Sequence, residues 1–378
     1  MRLNIVLCIE DLERDAQSIL DPGTWAYVAG GAGAGTTIAW NRRALDCLFL
    51  SPAVLTSAAQ PPDLSIRLFN RVLPTPILLA PTSPQRLLHP EAELATARGA
   101  SSSSTTTIIS TDSHYPFDEI VRAGSSDCWF QLYCYRSRND IGRTLDYAAE
   151  SGARAIVVTV DADHGARRIA AQRAGFTVPA TLDFGTLRAL GLFDGAVPGG
   201  ARLDRMPLSW AELNWIRART RLPLLVKGLL RPVDALRALD EGADGLIVSN
   251  HGGRQLDGAL PAVLALKTIA QAVDRRVPIL FDGGIRSGID IVRALALGAS
   301  AVCVGRPYLW GLAAYGEDGV ATCLQILADE FRDSLLQLGL GSVSEIAPGC
   351  VAGSAFPLAM AAWDGLVSSP AADMLSHA

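Results

Sequence analysis

Short, uninterrupted apolar runs that are rich in β-branched residues recur eight times along the chain. Each run is too short for a helix, and most are followed by a stretch that is compatible with one. Strands of a parallel barrel are covered on both faces, so their apolar runs are continuous instead of alternating. The pattern therefore predicts an α/β fold, a TIM (β/α)8 barrel, with strands at residues 76–81, 106–110, 129–133, 155–161, 224–228, 246–250, 278–284 and 301–307.

The segments between the runs complete this prediction. Residues 231–243 and 287–299 have the spacing of amphipathic helices, and each ends at a Gly-Ala pair that is typical of a helix C-terminus. Residues 1–70 precede the first predicted strand, and we expect them to form a helical N-terminal extension. Residues 180–207, rich in Gly and Leu, are longer than an ordinary barrel connection and predict a lid loop. No low-complexity linker divides the chain, which predicts a single domain over residues 1–378.

Composition and charge exclude several classes of protein. The chain has 33 basic and 38 acidic residues with no block of like charge, which disfavours binding to nucleic acid. Its seven cysteines are scattered and never spaced as C-x-x-C, which indicates reduced thiols and no zinc site. The N-terminal sequence has neither a signal-peptide cleavage site nor an apolar stretch of membrane-spanning length. We therefore expect a cytoplasmic protein that is not associated with a membrane.

Polar side chains stand at the ends of nearly all the predicted strands. In TIM barrels the active site is built from the C-terminal strand ends and the loops that follow them. We therefore expect one site that gathers Ser110, Gln131, Tyr133, Thr159, Asp161, Lys227, Ser249, His251, Asp282 and Arg306.

The sharpest cluster is the sequence SNHGGRQ at residues 249–255, which follows the sixth predicted strand. A histidine such as His251 is a natural general base near neutral pH, and the guanidinium of Arg254 suits a carboxylate. Together they predict a site for an acid with an abstractable proton. The alternative is a loop histidine that is hydrogen-bonded to backbone, beside an arginine in solvent. Such a loop would have the same sequence, so the cluster alone does not distinguish the two interpretations.

A second cluster follows the last two predicted strands. Glycines in DGGIR (282–286) and at Gly305 let backbone N–H groups approach a phosphate, and Arg286 and Arg306 supply positive charge. Tight turns alone would explain the glycines but not the paired arginines. The cluster therefore predicts a cofactor or substrate that carries a phosphate.

Lys227 is one of only two lysines in the chain, the other being Lys267. A compact positive charge at the end of a buried strand would stabilise an anionic ring such as a reduced flavin. The alternative is a lysine that extends out of the barrel mouth into solvent.

With these motifs the chain resembles the FMN-dependent 2-hydroxy acid oxidases and dehydrogenases, the family of glycolate oxidase, lactate oxidase and mandelate dehydrogenase. The resemblance runs from about Tyr27 to the mid-350s, and SNHGGRQLD (249–257), DGGIRSG (282–288) and GRP (305–307) carry it. It implies an FMN flavoprotein that oxidises a small 2-hydroxy acid to the 2-keto acid. It also implies a homotetramer, with oxygen or an external carrier as electron acceptor.

The resemblance assigns roles by position. It implies that His251 is the catalytic base and that Asp161 stabilises its imidazolium form, with Tyr133 and Arg254 completing the catalytic group. Whether His251 removes the Cα proton, or the hydroxyl proton during hydride transfer, stays open, since histidine serves both. The substrate-binding residues implied are Tyr27, Tyr133, Arg168, His251 and Arg254.

For FMN, the resemblance implies contacts along the ring and around the phosphate. Ser110 and Thr159 could instead satisfy barrel backbone, and Tyr133 could be ordinary packing. The residues implied are Pro81, Thr82, Ser83, Ser110, Gln131, Thr159, Lys227, Ser249, Asp282, Gly283, Gly284, Arg286, Gly305 and Arg306.

The chain departs from the family pattern at three positions. Asp112 stands near a position where relatives often have a large aromatic or apolar residue, and His164 stands where an apolar residue is expected. One hypothesis is a substrate with a polar or cationic group, because a buried carboxylate needs a partner. The alternative is that Asp112 points to solvent. Ser83 replaces a common Ala or Gly beside the flavin, which leaves the choice between oxidase and dehydrogenase open.

Two rival functions remain at this stage. Flavin-dependent isopentenyl diphosphate isomerases and nucleotide dehydrogenases also bind phosphate in a barrel, but they do not require His251 with Arg254, and no cysteine here lies on a suitable loop. A non-catalytic barrel kept as a binding module is the rival outside enzymology. A purified protein without flavin colour would favour the binding module.

Overall fold

The computed structural model describes residues 5–56, 61–124, 127–193 and 205–352. Its strands are β1 (Phe49–Leu50), β2 (Ile66–Leu68), β3 (Arg71–Leu73), β4 (Ile77–Leu79), β5 (Thr107–Ser110), β6 (Cys128–Leu132), β7 (Ile156–Thr159), β8 (Leu224–Leu229), β9 (Gly245–Val248), β10 (Ile279–Phe281), β11 (Ala301–Val304) and β12 (Val351–Ala352). The predicted TIM barrel is confirmed: eight parallel strands close into a barrel in the order β10-β11-β4-β5-β6-β7-β8-β9. Each of these eight strands lies within or overlaps a predicted run.

The barrel wall is apolar on both faces, as the continuous runs predict. On β4, Leu78 belongs to a core inside the barrel, while Ile77 and Leu79 belong to a second core between the strands and the helices. Neighbouring residues on a strand point to opposite faces. A strand that is shielded from water on both faces therefore needs apolar residues at every position. The polar strand ends are thus the exceptions that need an explanation.

Helices surround the barrel and lie at its ends. They are α1 (Ile9–Ile19), α2 (Pro22–Ala29), α3 (Thr36–Asp46), α4 (Ala92–Ser102), α5 (Phe117–Gly124), α6 (Arg138–Glu150), α7 (Ile169–Arg173), α8 (Gly185–Ala189), α9 (Trp210–Arg219), α10 (Pro232–Asp240), α11 (Ala262–Val273), α12 (Gly288–Ala296) and α13 (Arg306–Leu338). The two predicted amphipathic helices are confirmed as α10 and α12, and the glycines that follow them, Gly242 and Gly298, have φ of +90° and +104°. Such left-handed conformations end helices and favour glycine.

The N-terminal extension is helical, as expected, but its last residues begin a hairpin that the sequence analysis did not predict. Strands β2 and β3 pair in antiparallel fashion, and their Leu68 and Leu73 join the core inside the barrel. The ring of Phe69, in the turn, lies 5.8 Å from the ring of Trp129 on β6. The hairpin therefore packs onto the apolar interior of the barrel and helps to bury it.

The segment predicted as a lid loop is described in part. Its first half contains the short helix α8, which was not predicted, and Leu187, Leu190 and Leu192 pack there against Tyr135. Residues 194–204 lie outside the described residues, so the lid itself stays a prediction. Within the described ranges, a search for helices long and apolar enough to cross a membrane finds none.

Candidate active site

A cavity of about 400 Å³ opens at the C-terminal ends of the barrel strands. This is the range of volumes in which proteins bind cofactors and small ligands. The structure brings most of the predicted site residues to this one cavity. Those that line it are Tyr27, Pro81, Thr82, Ser83, Ser110, Tyr133, Arg168, Lys227, His251, Arg254, Asp282, Gly283, Gly284, Arg286, Gly305 and Arg306.

Four predicted residues stand behind the lining residues. The side chain of Gln131 accepts a hydrogen bond from Ser110 Oγ at 2.9 Å, and Ser249 Oγ donates to Asp282 Oδ1 at 2.6 Å. Thr159 is buried at the end of β7, and Asp161 contacts His251. Three of the four thus support side chains that border the cavity, whereas Thr159 Oγ1 has no hydrogen-bond partner among the described residues.

His251 and Asp161 form a hydrogen-bonded pair. His251 Nδ1 lies 3.0 Å from Asp161 Oδ1, and because a carboxylate only accepts, Nδ1 carries the proton and Nε2 is left to accept another. Burial and the charge of Lys227 lower the pKa of His251, although Asp161 opposes them. Burial acts to raise the pKa of Asp161, but His251 and Lys227 outweigh it, so that pKa is lowered. The pair thus combines a neutral imidazole with an ionised carboxylate.

Gly228 makes room for this pair. The ladder between β8 and β9 shifts between Lys227 and Leu229, and Gly228 has a φ of +112°. A Cβ at this position would lie 2.6 Å from Cβ and Cγ of Asp161. Only glycine combines this backbone conformation with so close an approach.

Lys227 lies in a buried polar network at the centre of the barrel mouth. Its Nζ donates to Ser249 Oγ at 3.0 Å and lies 3.3 Å from Asp282 Oδ2. Burial acts to lower the pKa of Lys227, but Asp282 and Asp161 more than offset it and raise that pKa above its ordinary value. The side chain is only 4% exposed, so the alternative of a lysine extending into solvent is wrong.

Arg168, Arg254 and the ring of Tyr27 form another part of the cavity wall. Arg254 Nη1 donates to the carbonyl oxygens of Tyr27, Val28 and Gly30 at 2.9, 3.1 and 3.1 Å. Its Nε and Nη2 donate to no carboxylate or carbonyl within the described ranges. Burial and repulsion from Arg168 lower the pKa of Arg254 to about 10. A guanidinium stays charged at neutral pH even so, and an anion placed here would relieve the repulsion.

Both arginines contact the ring of Tyr27. The guanidinium carbon atoms of Arg168 and Arg254 lie 4.7 and 5.1 Å from the centre of this ring. Phe176 stacks on the same ring with centroids 4.4 Å apart. Phe176 was not predicted, because its position after α7 carries no motif.

The predicted phosphate cluster is assembled at the ends of β10 and β11. Gly283 and Gly284 have φ of +114° and +110°, and a Cβ at Gly284 would come within 3.1 Å of the carbonyl oxygen of Asn41. Burial lowers the pKa of Arg286, and burial with repulsion from Arg254 and Arg286 lowers that of Arg306. Arg306 donates to the carbonyl oxygens of Val28, Gly252 and Gly30 at 3.1 Å each. Glycine backbone and surplus positive charge together fit an anionic phosphate.

Unpartnered buried atoms supply an independent test of whether FMN fits. Gln131 Nε2, Thr159 Oγ1 and Arg168 Nη1 are buried and have no hydrogen-bond partner among the described residues. Buried polar groups in native proteins are almost always paired. A ligand with carbonyl, N–H and carboxylate groups would satisfy these atoms, which fits a flavin and an acid substrate.

Asparagines hold the loop of His251 in place, and the sequence analysis missed them. Asn41 on α3 and Asn250 exchange side-chain amide hydrogen bonds of 2.9 and 2.7 Å. Asp257 accepts from the backbone N–H groups of Ala34 and Thr37 at 2.8 and 2.9 Å. Asn41 precedes the barrel by many residues and belongs to no recognised motif, so only the structure shows its role.

Asp112 already has partners within the chain. Its Oδ2 lies 3.1 Å from Arg205 Nη2 and its Oδ1 accepts from the Tyr135 hydroxyl at 2.6 Å, while its side chain is 14% exposed. The alternative that Asp112 points to solvent is therefore wrong. The hypothesis of a cationic substrate loses its premise, because Arg205 balances the carboxylate. His164 lines the cavity and is exposed.

Comparisons with known proteins agree with this geometry. Residues 16–353 match the model of the FMN-dependent dehydrogenase family. The chain is 42% identical to 4-hydroxymandelate oxidase of Amycolatopsis orientalis, over 89% of this chain and 95% of that protein. It is 40% identical to L-lactate oxidase of Alicycliphilus denitrificans, over 89% of this chain and 93% of that protein. It is 36% identical to glycolate oxidase of Spinacia oleracea, over 94% of this chain and 96% of that protein.

Solved structures give the same result. A mandelate oxidase crystallised with (S)-2-phenylpropionate matches with a TM-score of 0.84 and 39% identity, over 92% of this chain and 98% of that one. The family match disfavours the rival phosphate-binding barrels. The chain belongs to the FMN-dependent dehydrogenase family, whose members are oxidoreductases that use FMN to oxidise 2-hydroxy acids.

Proposed function

We propose that this chain oxidises a small 2-hydroxy acid to the 2-keto acid, with His251 as the base. The observation that carries the proposal is that His251, hydrogen-bonded to Asp161, lines the same cavity as Arg254, whose guanidinium no carboxylate of the described residues balances. A base and a carboxylate receptor in one site are what the reaction requires, because the substrate must present both a carboxylate and a removable proton.

Substrate binding would begin with the carboxylate. Nε and Nη2 of Arg254 offer two parallel donors, the geometry that matches a carboxylate best. Arg168 Nη1, buried without a partner among the described residues, is a further donor, and Tyr27 lies between the two guanidinium groups. The hydroxyl of Tyr133, which lines the cavity, would donate to the substrate hydroxyl oxygen.

Proton transfer would take place at His251 Nε2. The lowered pKa keeps His251 neutral at neutral pH, so Nε2 is able to accept. Once His251 is protonated, the carboxylate of Asp161 stabilises the imidazolium through the bond to Nδ1. This role is the same whether the proton leaves Cα or the hydroxyl, and the substrate loses two electrons and two hydrogens in either case.

FMN, when bound, accepts the two electrons. Lys227 would place its charge beside the pyrimidine side of the ring, where negative charge develops. Pro81, Thr82 and Ser83 would contact the reactive edge, and the unpaired atoms of Gln131 and Thr159 would bond the polar rim. Other cofactor contacts would come from Ser110, Ser249, Asp282, Gly283, Gly284, Arg286, Gly305 and Arg306.

Oxygen is the acceptor that we propose for the reduced cofactor. The relatives compared above carry the names of oxidases that act on 4-hydroxymandelate, lactate and glycolate. Because Arg205 pairs with Asp112, this carboxylate is not left to bind a cationic group of the substrate, so we propose a substrate with a neutral side chain.

Anaerobic titration of the purified holoprotein tests this proposal. The visible spectrum should show bound flavin, and the flavin band should bleach when glycolate, lactate, mandelate or 4-hydroxymandelate is added. Readmitted oxygen should restore the band. A flavin that no member of the panel bleaches would contradict the proposed function, and a protein without flavin would support the binding-module alternative.

A further inference from the structure

We propose that Arg205 is a positioning residue for Tyr133: it holds the ring in place and strengthens the hydroxyl as a hydrogen-bond donor to the substrate. The inference rests on the proposed function, in which Tyr133 contacts the substrate hydroxyl. It is carried by the stacking of the half-buried Arg205 guanidinium on the ring of Tyr133.

Each nitrogen of the Arg205 guanidinium contacts a different strand-end loop. Nη1 donates to the carbonyl oxygen of Ala162 after β7 at 2.6 Å, and Nη2 donates to Asp112 after β5 at 3.1 Å. Nε donates to the hydroxyl of Tyr135 after β6 at 3.3 Å. One side chain thus joins three of the loops that form the barrel mouth, which fixes its own orientation.

The face of this guanidinium lies on Tyr133. Its Cζ is 3.5 Å from the centre of the Tyr133 ring, the shortest such distance among the cation–ring contacts of the described residues. The backbone N–H of Tyr133 donates to Thr111 Oγ1 at 3.0 Å. Within the described ranges, its hydroxyl donates to no residue, so it is available to a ligand in the cavity.

The charge of Arg205 acts on the acidity of Tyr133. Burial raises the pKa of Tyr133 to about 12, and Arg205 opposes this shift while Asp112 adds to it. A cation on the face of the ring stabilises electron density that moves onto the phenol oxygen. The hydroxyl of Tyr133 is therefore a stronger donor to the substrate oxygen, which gains negative charge if His251 takes the hydroxyl proton.

The backbone holds Arg205 at this position. Arg205 and Tyr135 form an isolated antiparallel bridge, and the N–H of Met206 donates to the carbonyl oxygen of Cys134 at 2.8 Å. Asp112 neutralises the guanidinium, whose side chain is 23% exposed. This ion pair and the hydrogen bonds of Arg205 offset part of the cost of withdrawing its charge from water.

A double-mutant cycle on the holoenzyme tests the inference. Arg205→Met, Tyr133→Phe and the double variant are compared with the unsubstituted protein by the anaerobic rate of flavin reduction at saturating substrate. We expect Arg205→Met to lower this rate by about tenfold, the scale of one cation–ring contact that is stronger in the transition state. In the Tyr133→Phe background the same substitution should change the rate less than about twofold, because it then has no hydroxyl to act through.

Two further variants keep the outcome interpretable. Arg237→Met removes another arginine that lies over an aromatic ring, that of Trp210, and should leave the rate unchanged. Arg205→Lys retains the charge but not the planar stack, and should give a rate between those of the unsubstituted protein and the Arg205→Met variant. If Arg205→Met does not fold, Arg205→Lys takes its place in the cycle.

The outcomes separate this inference from the proposed function. If the unsubstituted protein bleaches with a 2-hydroxy acid but Arg205→Met costs the same factor with and without the Tyr133 hydroxyl, the positioning role is wrong and the function stands. If the unsubstituted protein does not bleach, the proposed function is wrong. The inference is supported by non-additive rates measured on variants that are fully loaded with FMN and folded at the assay temperature.

Discussion

At the scale of single residues, the site depends on charges that shift one another's protonation. His251 is kept neutral by burial and by Lys227, while Asp161 acts in the opposite direction through a 3.0 Å hydrogen bond. Lys227 in turn is kept charged by Asp282 and Asp161. A base that is neutral beside an ionised partner is ready to accept a proton near neutral pH.

The pH dependence of the reaction follows from this balance. Because the pKa of His251 is lowered from 6.5, we expect kcat/KM to rise with pH and level off, with the midpoint below pH 6.5. Asp161→Asn removes the effect that raises this pKa, so the midpoint should move to lower pH while the plateau falls. Steady-state profiles of both proteins measure this. A midpoint that moves upward would contradict the account of the pair.

Lys227 offers a second prediction, on stability. Lys227→Met would leave Asp282 buried without its cation, which costs about 3–5 kcal/mol for a buried pair. We expect the free energy of unfolding in urea to fall by that amount and FMN to be retained less well. Lys267→Met, at the other lysine of the chain and exposed on α11, is the matched control and should be neutral. Equal losses in the two variants would contradict the buried network.

At the scale of elements, the active site needs parts from outside the barrel. Helix α3 contacts the loop of His251 through the Asn41–Asn250 amide pair, and Asp257 accepts from the backbone at the start of α3. His251 itself has a φ of +58°, a conformation that costs energy for a non-glycine residue. Helix α3 therefore stabilises a strained loop that the barrel alone does not hold.

Asn41→Ala tests this dependence. The substitution leaves the side-chain amide of Asn250 buried without its two hydrogen bonds to Asn41. We therefore expect the free energy of unfolding to fall by about 1–3 kcal/mol. The rate of flavin reduction should also fall, since the loop of His251 is less well held. Asn139→Ala, at an exposed position in the first turn of α6, is the control. A stability loss with an unchanged rate would show that α3 supports the fold but not the catalytic loop.

The sequence predicted the elements where a repeating pattern exists. The eight barrel strands were predictable because both faces of the barrel wall are shielded from water, which requires continuous apolar runs. Helices α10 and α12 were predictable because their apolar spacing and their terminal glycines both indicate a helix. The hairpin of β2 and β3 was not predicted because its strands are only three residues long. The contacts of Arg205 and Asn41 were not predicted because they join residues that are far apart in sequence.

At the scale of the whole molecule, positive charge accumulates in the cavity although the chain carries a net charge of −5. Arg168, Arg254, Arg286 and Arg306 all line the same space. Burial lowers the pKa of the last three below the ordinary value, and repulsion from neighbouring arginines adds to this shift. A phosphate at one end and a carboxylate at the other would balance them. The single-domain organisation, the cytoplasmic location and the homotetramer stay predictions.

The central claim is that His251 takes the substrate proton over a bound flavin, and rapid mixing of the His251→Asn variant tests it most directly. The variant should load FMN as fully as the unsubstituted protein, because His251 is not among the proposed cofactor contacts. Its anaerobic flavin reduction by the best 2-hydroxy acid should be slower by about 10³-fold, within the range for loss of a general base. A rate within about tenfold of the unsubstituted protein, with FMN fully bound, would contradict the claim.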